Sequence, residues 1–162
     1  MSIKDQVNPA EWKALYNAPV AAATFVASAS GGGFEMIKEI VSASKFAKQV
    51  AEQATGSAYG AVVDDLLTVM KGMSVEDAKA NALKYQSRDP DGIRAEAKQV
   101  VADAVAATSA MPGADGFRRW ILDMARQVAE TKTGGFLGIG AKSVVDEKEQ
   151  AALAELSTVL GL

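Results

Sequence analysis

Whatever chemistry this chain performs, it performs without histidine or cysteine, because neither occurs among its 162 residues. That removes the Ser-His and Cys-His nucleophile pairs, the imidazole proton shuttle, the thiolate and the usual zinc site. Oxygen donors remain, and hard oxygen ligands favour Ca²⁺ or Mg²⁺ over Zn²⁺. Three acidic pairs have usable spacing: Glu35 with Glu39, Asp64 with Asp65, and Asp146 with Glu149. Glu35 and Glu39 fall four residues apart, on one face of a helix. The candidate cation ligands are therefore Glu35, Glu39, Asp146 and Glu149. Each pair also has a purely structural use: Glu35, Asp146 and Glu149 complement the positive end of a helix, and Asp64-Asp65 straddles the edge of a solvated face. Nothing in the spacing brings two carboxylates together across a cleft at catalytic separation. The expectation is a protein that is not an enzyme.

Two glycine-containing stretches resemble ligand loops and fail on a residue. Gly135 to Ser143 (GFLGIGAKS) suggests a phosphate-binding loop, but Ala141 separates the glycine from Lys142, and a helix rather than a strand precedes it. The apolar Phe136, Leu137 and Ile139 of this loop are candidates for contact with a partner protein or a membrane surface. Asp89-Pro90-Asp91-Gly92 suggests part of a calcium loop. Aligned on Gly92, however, Lys98 falls where the bidentate glutamate belongs, so helix capping is the better account of these aspartates.

The elements that must position these residues all read as helices. Asn8-Pro9-Ala10-Glu11 is a capped start, followed by Trp12, Leu15 and Tyr16 on one face. Pro19 is expected to end or kink that segment, with a small-residue helix after it that turns Val20, Ala23, Val26 and Ala27 inward. Gly31-Gly32-Gly33 stops it. A second amphipathic run covers 34 to 54. Tyr59, Val62, Val63, Leu66, Leu67 and Met70 mark the next, ended by Gly72. Ser74 caps a short helix, and Asp89-Pro90 opens a long one whose inward stripe is Ile93, Ala97, Val100, Val101, Ala104, Val105 and Thr108. Pro112-Gly113 separates it from the most amphipathic stretch, with Phe117, Trp120, Ile121, Met124 and Val128. Arg118 and Arg119 are expected to pair locally with Asp115 and Asp123. After the glycine-rich loop 134–140, a last helix starting near Asp146 faces Ala152, Leu153, Leu156 and Leu160 inward. Gly32-Gly33-Phe34 and Gly134-Gly135-Phe136 repeat in comparable positions, the trace of a degenerate helix-pair duplication.

No strand is expected. The fold class is all-α, a single irregular bundle of seven to eight helices spanning 1–162. Alanine is roughly one residue in five, which allows helices to approach closely, and no heptad is sustained long enough for a coiled coil. An apolar fraction of 49% and a charged fraction of 23% are ordinary for a folded globular chain. The net charge of −3 lacks the concentrated basic face that nucleic acid requires. The polar first eleven residues contain no apolar core of a signal peptide, and no stretch reaches the ~20 apolar residues of a membrane span. Together with the missing cysteines, these features give an expectation of a cytoplasmic protein.

The tail Gly134-Gly135-Phe136-Leu137-Gly138-Ile139-Gly140, followed by Val145 to Leu156 (VDEKEQAALAEL), resembles the loop and acidic-capped helix of the TerB-like tellurite-resistance proteins. The small-residue helix ending in Ser30-Gly31-Gly32 adds to the likeness. The resemblance implies an all-helical bacterial protein linked to stress responses and divalent cations, with no enzymatic activity attached. It is carried by the last third of the chain. The pattern departs at Lys132-Thr133-Gly134-Gly135, where family members often place Ala-Asp-Gly, so only Asp146 and Glu149 match the family's acidic positions.

Overall fold

Asn8, Ser74 and Asp89 each sit where a helix has backbone N–H groups with no carbonyl to receive them, and each supplies the missing acceptor. In the computed structural model, which describes residues 1–29, 58–132 and 147–162, Asn8 Oδ1 accepts from the N–H groups of Ala10 and Glu11 at 2.9 Å. The Asn8 N–H donates in return to Glu11 Oε2 at 2.8 Å, a reciprocal box. Ser74 Oγ accepts from Asp77 N–H at 3.0 Å, and Asp89 Oδ1 accepts from Gly92 N–H at 2.8 Å. Asp89 is thus a cap, as its sequence context suggests.

The described helices are α1 (Ile3–Gln6), α2 (Pro9–Ala29), α3 (Ala61–Gly72), α4 (Val75–Asn81), α5 (Pro90–Thr108), α6 (Ala114–Lys132) and α7 (Glu147–Leu160). Among the described residues there is no strand, and the fold is an all-α bundle. The helix expected over 34–54 and the glycine-rich loop lie outside the described residues.

Helix α2 is the axis of the bundle. It packs against α5 most extensively, then against α6 and α7, with lesser contacts to α3 and α4. From Ala21 to Ser28 every residue is buried, so this half has no solvent face at all. The expected one-sided stripe is corrected accordingly: Ala21, Ala22 and Thr24 are as enclosed as Val26, while Val20 is only half-buried. An unbroken run of uncharged residues between Lys13 and Glu35 is what permits such a placement.

Pro19 does not end the helix. It lies inside one continuous 21-residue element and is itself buried. An interior proline removes one N–H···O bond and costs about 3 kcal/mol in isolation. Here the flanking Ala18, Leu15 and Ala22 are wholly enclosed by neighbouring helices, and tertiary packing holds the segment helical against that cost. The second adjustment is at Tyr59, which precedes α3 instead of belonging to it. Gly60, with φ +85°, is the residue from which the helix starts.

One contiguous apolar cluster draws on six helices: Ile3 of α1, Leu15 and Phe25 of α2, Leu66 of α3, Val101 of α5, Trp120 and Ile121 of α6, and Leu156 of α7. The short α4 buries nothing of its own. It is held by Asn17, whose Nδ2 donates to Lys13 O and to Asn81 O, both at 2.7 Å, so a buried amide ties the end of α4 to α2. Helix α1 is fixed from both sides: Ile3 enters the core, and its N–H donates to the Asp65 carboxylate of α3.

The turn between α5 and α6 uses Gly113 at φ +93°, a conformation that costs glycine little and other residues more. Three residues on, α6 lies directly against the backbone that precedes α3. A Cβ on Gly116 would stand 1.7 Å from Tyr59 O, so the absence of a side chain is what allows this approach. Gly116→Ala is expected to destabilise the fold by about 1–3 kcal/mol, the usual cost of forced overpacking. Gly72→Ala, where an added methyl meets nothing within 4 Å, should change stability by less than about 1 kcal/mol. Urea denaturation of the two variants against the parent measures both; equal midpoints would contradict the close approach.

Candidate functional site

Arg94 and Lys98 are one turn apart on α5, and both reach the same carboxylate on α7. Arg94 Nη2 lies 2.8 Å from Glu155 Oε2, and Lys98 Nζ lies 2.7 Å from Glu155 Oε1. The Arg94 guanidinium also stands 4.5 Å from the centroid of the Phe25 ring on α2, a cation–π contact. Three helices thus meet at one charge cluster. The Lys98 contact leads in holding the Glu155 carboxyl below its ordinary range, with Arg94 adding to it. Both oxygens of Glu155 are engaged, so the arrangement is a tie between helices.

A second polar group runs along α6. Tyr59 hydroxyl donates to Asp123 Oδ2 at 2.9 Å, and Arg126 stands 3.5 Å from Oδ1 of the same residue. Gly116 and Asp123 are seven residues apart, two turns of one helix face, so Tyr59 lies along that face with its carbonyl at one end and its hydroxyl at the other. Desolvation, then the Asp123 contact, pushes the Tyr59 hydroxyl up, which suits a donor and disqualifies a base at neutral pH. The local pairing expected for the arginines is partly met: Arg118 Nη1 is 3.6 Å from Asp115 Oδ1, whereas Arg119 reaches only the Asp115 backbone oxygen at 3.4 Å.

The third group closes the connection between α4 and α5. Glu96 accepts from the N–H groups of Gln86 and Ser87 at 2.8 and 2.7 Å. The Ser87 side chain and these two amides hold its carboxyl below the ordinary range. Beside it, burial pushes the Tyr85 hydroxyl up to about 12.

Of the residues singled out by sequence, Glu149 alone among the candidate cation ligands is described. It lies in the first turn of α7 and is 2% exposed, which is deeper than a solvated cap. Glu35, Glu39 and Asp146 lie outside the described residues, as do Phe136, Leu137 and Ile139 of the loop. Asp65, read as the edge of a solvated face, is the acceptor for Ile3 N–H, while Asp64 is exposed. Among the described residues no group of three acidic side chains is positioned to hold a metal ion.

Sequence reasoning missed Glu155 and Glu96, and for Asp123 it gave a neighbouring arginine as partner and missed Tyr59. The i, i+4 spacing of Arg94 and Lys98 on α5 was a visible signal for the first. The other two partners, a loop backbone and a tyrosine 64 residues away, leave no local pattern to read. Comparison with known proteins finds no matching protein-family model, no matching curated protein and no matching solved structure. The class that fold and site define is an all-α bundle whose described charged clusters tie helices to one another and to the segments between them.

The sign of the acid dependence follows from the two depressed carboxyls. Glu155 and Glu96 each have a folded pKa below the ordinary 4.5. Their contribution is therefore present above that value and lost as pH falls through the folded one. Stability measured by denaturant should fall as the pH is lowered through and below the ordinary carboxylate value, and Glu155→Gln should flatten that dependence. Because the Glu155 side chain is 41% exposed, the expected effect at neutral pH is ~0–1 kcal/mol, the range for solvated ion pairs. An unchanged acid limb in the variant would show that Glu155 does not hold α5 to α7.

Proposed function

We propose that this chain is a non-catalytic, stress-associated helical protein of the TerB-like kind that acts through contacts with a divalent cation or with a protein. The observation that carries the reading is how the described chemistry-bearing side chains are used. Asp65 fastens α1, Glu96 fastens a loop, Glu155 joins α5 to α7, Asp123 holds Tyr59, and Asn8, Ser74 and Asp89 cap helices. Side chains spent in this way hold structure and leave recognition to other parts of the chain.

For a cation, the donors are Glu149, in the first turn of α7, with Asp146, and Glu35 with Glu39. All four are carboxylates, a hard donor set that fits Ca²⁺ or Mg²⁺. Because the described residues hold no acidic group of three, Glu149 needs carboxylates from beyond them to complete a site. Such binding acts on stability through mass action: free cation at 100 times its Kd adds about 2.7 kcal/mol. Titration with Ca²⁺ and with Mg²⁺ should raise the melting temperature. Asp146→Asn and Glu35→Gln, read separately, should show which pair is responsible by abolishing the rise. No shift with either ion at millimolar concentration would reject the cation reading.

For a protein or membrane contact, the surface is the glycine-rich loop. Three large apolar side chains, Phe136, Leu137 and Ile139, alternate there with glycine within five residues, a pattern that suits apolar contact. Liposome co-sedimentation of the parent and of the double variant Phe136→Ser/Leu137→Ser tests the membrane form of this reading. Reduced pelleting of the variant is expected; equal pelleting would eliminate the loop as the contact.

A further inference from the structure

We draw no further inference here: the strongest candidate, the apolar patch where α3 gives way to α4, with Val69, Met70 and Met73 half-buried and Val75 exposed, carries nothing because no feature of the structure shows what covers it.

Discussion

A helix surrounded by protein on every side has to satisfy its polar groups internally and offer neighbours a surface they can approach at close range. The second half of α2 meets both conditions. Its hydroxyls bond back to its own carbonyls, Thr24 to Val20 at 2.9 Å and Ser28 to Phe25 at 3.0 Å, so no buried hydroxyl is left without an acceptor in this stretch. Half of its residues from Ala21 to Ser28 are alanine, which brings facing backbones together, and α5, whose buried residues include Ala97, Val101 and Ala104, is its most extensive neighbour. The other helices are arranged around this one. Filling such an interior to close packing also needs large side chains, and Phe25, Trp120 and Leu156 are among the largest that are fully buried.

The apolar core positions the helices but leaves their ends and loops to be fixed by polar contacts. Beside the local caps, several of the contacts described above cross from one element to another. Asn17 reaches α4, Asp65 reaches α1, Glu155 reaches two residues of α5, and Tyr59 reaches α6. A carboxylate or amide is well suited to this work, because its acceptors and donors are directional where apolar contact is not. The same use explains the depressed carboxyls of Glu96 and Glu155: each accepts hydrogen bonds that favour its charged form. A functional role for charge in this protein therefore has to be sought beyond these ties. That is why the cation reading rests on the acidic pairs near 35–39 and 146–149.

Local rules were legible in the chain. The caps at Asn8, Ser74 and Asp89, the breaks near Gly72 and Pro112-Gly113, and the inward stripes of α5 and α6 all follow from residue type and spacing. Pro19 does not stop the helix although its local cost is real, because packing from several helices at once outweighs that cost. Glu149 was read as a cap, since an acidic residue near a helix start normally is one; its burial depends on what α7 leans against. On the candidate site, the sequence supplied the carboxylates and the apolar loop residues as types, and the described structure adds the position of Glu149 alone.

Residue types and their periods by themselves determined the helical class and the capped starts, because these depend on neighbours within a turn or two, and composition alone excluded imidazole and thiol chemistry. Only the tertiary structure decided that α2 runs unbroken through Pro19 to the centre, that Gly116 must lack a side chain against Tyr59, and that Glu155 serves two cations of another helix. Those outcomes join residues up to 61 positions apart. Contacts at such separation are set by how the packed helices share one interior, which no local pattern records.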